Sequence, residues 1–146
     1  MAQIFWMVSP SRAFFVNAAT SSVEDGTADL QTTQNFALST FTQQYSMAMD
    51  GIDVTPQLLS RVGALQFDGK GNVKLSEVAN ASASGLGANN PGLLAGTYTV
   101  SSNGRIVETF GGGSLDLVMY AVSPSQAYVL QNDSGTTTSG QVLLQQ

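Results

Sequence analysis

The chain of 146 residues has neither cysteine nor histidine, and the two absences remove much of the ordinary enzyme repertoire. Without histidine no side chain has an unperturbed pKa near neutrality, and without cysteine there is no thiolate nucleophile. Disulfides and Cys/His zinc sites are excluded too, so no cofactor and no metal is expected and packing alone must hold the fold. Charge is scarce: Asp, Glu, Lys and Arg make up 10% of the residues, against about 25% in an average globular protein. Basic residues are scarcer still, five against ten acidic ones for a formal charge of -5, so the chain lacks the cationic patch that phosphate backbones require. Nucleic acid and anionic membranes are therefore not expected partners. No stretch approaches the roughly eighteen uninterrupted apolar residues of a membrane helix. The opening Met-Ala-Gln-Ile-Phe-Trp-Met-Val is apolar but has no basic flank, and Pro10 and Arg12 interrupt it, so it does not read as a signal peptide.

Ser, Thr, Gln, Asn and Gly fill the place of the missing charges, a composition typical of exported bacterial β proteins. It points to a secreted or cell-surface location, with any export signal lying upstream. The length suits one domain that buries roughly 70% of its unfolded surface.

The chain repeats itself. Val8-Ser9-Pro10-Ser11-Arg12-Ala13-Phe14-Phe15-Val16 returns as Val122-Ser123-Pro124-Ser125-Gln126-Ala127-Tyr128-Val129-Leu130, an offset of 122 - 8 = 114 residues. The offset holds without a gap through Gly26 and Gly140, Leu30 and Leu144, and Gln31 and Gln145, with Trp6 opposite Tyr120. Each copy reads as an apolar strand, a Ser-Pro-Ser corner, a second apolar strand, a polar Gly-bearing turn and a third alternating segment. A unit of about 114 residues makes 33–146 one complete β-barrel repeat and 1–32 the terminal hairpin of a preceding one. The rival reading is a single domain with two similar hairpins.

Strand signals follow one another at the spacing of an antiparallel meander. They fall at 41–49, ended by Asp50-Gly51, then at 62–67 and 73–78 around Asp68-Gly69-Lys70-Gly71-Asn72. A connector at 52–60 has room for one helical turn at Gln57-Leu58-Leu59, and 79–91 reads as a long loop. Segments 96–101 and 105–110 flank Asn103-Gly104, a pair suited to a type I′ turn. After Gly111-Gly112-Gly113 come 115–122, 127–131 and 141–144. The total is about eight short strands with no amphipathic helix to cover a parallel sheet. The expected fold is all-β, an antiparallel up-and-down barrel of calycin type with an extra N-terminal hairpin, because closure removes sheet edges. A β-sandwich is the alternative.

The succession Gly63-Ala64-Leu65-Gln66-Phe67-Asp68-Gly69-Lys70-Gly71-Asn72-Val73, then 96–105, then 118–128, resembles the tandem β-rich modules of large, mostly uncharacterised secreted proteins of soil bacteria, acidobacteria especially. The resemblance covers most of 40–146 and, for the last motif, 4–30. It implies a lipocalin-like barrel in an exported repeat protein and brings no catalytic residues with it.

Several patterns could carry chemistry, and each has a plainer reading. Asp68-Gly69-Lys70-Gly71-Asn72 resembles the start of a calcium loop, but Lys70 occupies a ligand position and a hairpin turn accounts for the segment. Gly85-Leu86-Gly87 lacks a βαβ context, and Gly111-Gly112-Gly113 has no Lys-Ser/Thr pair after it. Lys70 and Lys74 form no S-x-x-K or G-x-S-x-G arrangement. Glu77, Glu108 and Asp116 fall on strands and could set two carboxylates across a barrel mouth, as a glycosidase needs. Solvent-facing strand charges are the commoner explanation.

The aromatic and methionine set Tyr45, Met47, Met49, Phe67, Tyr98, Phe110, Tyr120 and Tyr128 reads first as core, and as ligand lining if the interior is open to a small apolar guest. The expected function is a non-enzymatic structural or adhesive module, with a lipocalin-like binder of an apolar ligand as the alternative. Its expected partners are adjacent repeats, or other copies joined through the N-terminal hairpin, where Phe5, Trp6, Phe14 and Phe15 need cover. Limited proteolysis is expected to remove residues 1–31 while 33–146 keeps its cooperative melt; a melt abolished by the cut would contradict the two-unit division.

Overall fold

The computed structural model describes residues 3–18, 23–52, 57–81 and 93–146. Contacts divide the chain into two compact units, Met1–Thr32 and Thr33–Gln146.

The first unit is a three-stranded antiparallel sheet of β1 (Gln3–Ser9), β2 (Arg12–Ala18) and β3 (Val23–Asp29), in that order. Arg12 and Asp29 face each other across β2 and β3, and the guanidinium donates from Nε and Nη2 to the two carboxylate oxygens at 2.6 and 2.9 Å. Gly26 lies within β3 opposite Phe15, not in a turn as the sequence pattern suggests. A side chain there would meet the Phe15 ring at 2.9 Å.

The second unit is a closed antiparallel barrel of eight strands: β4 (Gln44–Ile52), β5 (Leu58–Phe67), β6 (Asn72–Ala81), β7 (Leu93–Val100), β8 (Arg105–Phe110), β9 (Leu115–Ser123), β10 (Gln126–Gln131) and β11 (Thr137–Leu144). Every strand pairs with its neighbours in sequence, and β11 pairs back onto β4. This is the up-and-down barrel expected; the sandwich is excluded because the sheet has no free edge.

Period-two alternation builds the interior. In β4, Tyr45, Met47 and Met49 are buried between exposed neighbours; in β8, Ile106, Glu108 and Phe110, and in β9, Leu115, Leu117, Met119 and Ala121, are buried between neighbours that are mostly half-buried. The alternation places Tyr120 and Tyr128 on the outside, opposite each other on β9 and β10. The reading of these two tyrosines as interior lining is corrected accordingly: Met119, Ala121, Ala127 and Val129 take the inward positions.

One barrel end is stoppered. The segment entering β4 contains a 3₁₀ turn at Leu38–Thr40, which the sequence did not signal, and it carries Phe36 and Phe41 into the core. Phe41 packs against Tyr45 and Phe67, and Phe67 meets the Tyr98 ring edge-on at 4.8 Å. The Tyr98 hydroxyl donates to the carbonyls of Leu38 and Phe41, both at 3.2 Å, and Tyr45 donates to the Pro124 carbonyl at 2.8 Å. These bonds satisfy buried phenols and tie the stopper to the wall.

The loops refine other expectations. Strand β4 runs through Asp50-Gly51, which do not end it, and β5 begins at Leu58 where a helical turn was expected. At Asn103-Gly104 only the glycine has positive φ (82°). The Gly104 amide bonds back to Ser101 and the Ser101 amide to Arg105, which makes a three-residue connection with glycine in the left-handed position in place of a type I′ turn. Gly111, Gly112 and Gly113 all have positive φ, a left-handed run that other residues would strain. The expected 79–91 loop begins later, since β6 extends to Ala81; its remainder lies outside the described residues.

Leu65 is fully buried at the centre of β5, whereas Leu58 on the same strand is 71% exposed. Leu65→Ala is expected to lower unfolding free energy by about 2–5 kcal/mol, and Leu58→Ser by less than about 0.5 kcal/mol, measured by urea denaturation.

Candidate functional site

The barrel interior is chemically divided. At the stoppered end it is aromatic and aliphatic, but the inward positions in the other halves of the strands include Arg61, Glu77, Glu108, Gln131 and Thr138. These belong to the end where β4 joins β5, β6 joins β7, β8 joins β9 and β10 joins β11.

Arg61 and Glu77 share the inward parity of Leu65, Phe67, Val73 and Leu75, and they meet diagonally across β5 and β6. Arg61 Nη1 donates to Glu77 Oε1 at 2.6 Å, with both side chains about 15% exposed or less. Arg61 Nε and Glu77 Oε2 have no hydrogen-bond partner among the described residues. Thr138 donates to the Gln131 side-chain carbonyl at 3.0 Å, and Gln131 donates in turn to Asp133 at 2.5 Å, so that pair is satisfied. Asp133 also accepts the Asp116 amide at 2.8 Å, which pins the β10–β11 connection to β9.

Glu108 is the outlier. It stands between Ile106 and Phe110 on β8, opposite Tyr98 and Leu117, and is 0% exposed. Neither carboxyl oxygen has a hydrogen-bond partner among the described residues. Burial pushes its pKa up from 4.5 to about 8, so at neutral pH it carries a proton. The expectation that Glu77 and Glu108 are solvent-facing is therefore corrected: strand parity turns both inward. They do not form the open carboxylate pair of a glycosidase, because Glu108 is sealed from water and Glu77 is tied to Arg61.

Six of the eight predicted lining residues, Tyr45, Met47, Met49, Phe67, Tyr98 and Phe110, point inward and are packed in one buried cluster. Burial raises the pKa of Tyr45 and of Tyr98, with a further contribution to Tyr45 from Tyr98 and to Tyr98 from Asp68, so both phenols stay neutral. Arg61, Gln131 and Thr138 escaped the sequence reading. Arg61 could have been found by extending the alternation of Leu65 and Phe67 backwards; Gln131 and Thr138 look like ordinary surface polar residues until the strand ends are known.

The calcium-like segment is a self-contained turn. Asp68 Oδ1 accepts the amides of Lys70 and Asn72 at 2.7 and 2.9 Å, and Oδ2 accepts the Asn72 side-chain amide at 2.6 Å. These bonds, that from the Asn72 side chain foremost, lower the Asp68 pKa to about 2. A recess of about 310 Å³ beside this turn is lined by Gln66, Phe67, Asp68, Asn72 and Lys74, sharing only Phe67 with the predicted lining. Among the described residues no cluster of three or more acidic side chains could hold a metal ion.

No protein-family model matches the chain, and no curated protein does. Among solved structures, a redesigned β-barrel aligns with a TM-score of 0.52 at 15% identity, over 75% of this chain and 96% of its own length. Another redesigned barrel, bound to DFHBI, aligns with a TM-score of 0.46 at 15% identity, over 73% and 97%. The S-type phycobiliprotein lyase of Guillardia theta gives 0.44 at 6% identity, over 75% and 90%. The first of these likenesses shows the barrel fold.

The raised pKa of Glu108 makes stability depend on pH. The unfolded chain loses this proton as pH rises through about 4.5, whereas the folded chain keeps it to about 8. Stability is expected to fall across that window by up to about 1.4 kcal/mol per pH unit and to level off above it. Glu108→Gln is expected to remove that contribution and to be more stable than the parent at neutral pH, as read by urea melts across the window.

Proposed function

We propose that this chain is a non-catalytic structural or adhesive module of a repeat protein, in which barrels follow one another at a 114-residue period and the last three strands of each close it. The observation that carries this reading is the match between β1–β3 and β9–β11. Gln3↔Asn17, Phe5↔Phe15, Trp6↔Phe14 and Ser9↔Arg12 in the first hairpin become Leu117↔Gln131, Met119↔Val129, Tyr120↔Tyr128 and Ser123↔Gln126 in the second, each shifted by 114. Arg12↔Asp29 and Phe15↔Gly26 likewise become Gln126↔Leu143 and Val129↔Gly140. The corner repeats as well: Ser11 N donates to Ser9 Oγ and Ser125 N to Ser123 Oγ, both at 3.2 Å. The Leu30 amide bonds to Ser11 O at 2.8 Å as the Leu144 amide does to Ser125 O at 2.9 Å. Coincidence of side chains could follow from composition, but coincidence of register, corner and closing bond implies one element written twice.

In this reading one unit gives way to the next between Thr32 and Thr33, the boundary between the two compact units. In an array, many weak contacts from copies on one chain add up, which suits a structural or adhesive role. The composition and the resemblance to secreted modules support an exported location, with adjacent repeats as the natural partners.

A second reading, a small-ligand barrel, is favoured by one observation: the inward-facing Glu108 carboxyl has no hydrogen-bond partner among the described residues. A guest with hydrogen-bonding groups would satisfy it, whereas a purely apolar guest would not.

The experiment is a chain extended by a second copy of 33–146. It is expected to fold as two barrels in series, with about twice the unfolding enthalpy of the single unit and an elongated scattering profile. Enthalpy of only one barrel would sink the repeat reading, and saturable binding of a polarity-sensitive dye by the native single unit would favour the ligand reading.

A further inference from the structure

The chain contains one set of strands β4–β8 and two sheets of the shape that completes it. We propose that β1–β3 can replace β9–β11 against β4–β8 of the same molecule, so that the polypeptide has two mutually exclusive barrel frames, β4–β11 and β1–β8, sharing five strands. The inference deepens the repeat-module reading and rests on its premise that the two sheets are one element.

Four observations support the exchange. The first is the register identity, which lets β1 take the ladder of β9 along β8, and β3 that of β11 along β4, without a slip. The second is glycine placement. Where β11 crosses β4, a Cβ on Gly140 would lie 1.8 Å from the Ala48 carbonyl oxygen, so only glycine passes; the residue 114 positions earlier is Gly26. The third is connectivity. The end of β11 lies beside the start of β4, where the Gln145 amide bonds to the Gln44 carbonyl at 3.0 Å. In the exchanged frame Gln31 occupies the place of Gln145, and residues 32–43 have only to bridge neighbouring strands, roughly 5 Å apart. The fourth is vacancy. Phe5 is 53% and Met7 68% exposed, whereas their counterparts Met119 and Ala121 are 1% and 2% exposed inside the barrel.

Against this, Phe5, Met7 and Phe15 are larger than Met119, Ala121 and Val129, which crowds the interior and accounts for β9–β11 holding the barrel in the native frame. Because both sheets are tethered to the same five strands, the choice between frames is intramolecular.

The full-length chain, with no cysteine of its own, permits a direct test. Trp6→Cys with Arg105→Cys places a pair where Tyr120 and Arg105 face each other in the native frame; the neighbouring Ala121 amide bonds to Gly104 O, so this is a non-hydrogen-bonded pair with close side chains. Slow oxidation is expected to form a disulfide within one molecule, faster when Gly140→Val blocks β11. Gly140→Val alone is expected to move hydrogen-exchange protection from residues 117–144 to residues 3–29 while β4–β8 stay protected. Adding Gly26→Val is then expected to abolish protection throughout the barrel. The proposal is overturned if Gly140→Val loses protection of β4–β8 as the double variant does. It is equally overturned if the cross-link joins two molecules, or if it fails to form while Tyr120→Cys with Arg105→Cys cross-links readily. A two-unit chain that folds as two barrels alongside such a failure would leave the repeat reading standing and remove only the exchange.

Discussion

The ladder between β11 and β4 is the contact on which the barrel depends. All other neighbouring strands are consecutive in sequence, so pairing between chain neighbours brings them together. The last strand must meet the first across nearly the whole unit, with Leu144 beside Tyr45 and Thr137 beside Ile52. That pairing removes two exposed sheet edges at once. It also demands close approach, since a Cβ on Gly51 or on Gly140 would come within 2 Å of a carbonyl oxygen on the facing strand. Two glycines, one on each side of the seam, are what let a strongly curved sheet shut.

Closure in turn creates the interior and its division. At one end Phe36 and Phe41 seal the barrel, and the two buried phenols spend their hydroxyls on backbone carbonyls of the stopper and the wall. Toward the other end the inward positions carry an Arg61–Glu77 pair and the protonated Glu108. A buried carboxyl with no hydrogen-bond partner among the described residues costs folding free energy.

The seam also gives the repeat its meaning. The three strands that close the barrel are the ones the chain contains twice, with identical registers and an identical corner. A unit whose closing element is duplicated on both sides of its core can be parsed in two ways, and the glycine needed at the seam is present in both copies. Side-chain volume then selects the frame: β9–β11 offers Ala121 and Val129 where β1–β3 offers Met7 and Phe15, and the smaller residues suit a core already filled by Tyr98, Phe67 and Phe110.

Much of this was legible in the amino-acid order alone. Alternation in 41–49, the glycine-rich hairpin at 68–72, the two strands flanking Asn103-Gly104 and the 114-residue offset depend on nearest neighbours and on period two, both local properties. They determine an all-β meander with a duplicated terminal sheet, and six of the eight aromatic and methionine residues singled out do point inward. Parity decided the remainder. Whether Tyr120 or Met119 faces inward depends on which strand lies opposite, and either side of that strand is apolar enough to be buried. Glu108 looks like a surface charge because its sequence neighbours do not reveal that Ile106 and Phe110 set the inward face. The 3₁₀ stopper and the glycine seam belong to tertiary structure for the same reason: each answers to residues dozens of positions away, brought within contact distance only when the sheet closes on itself.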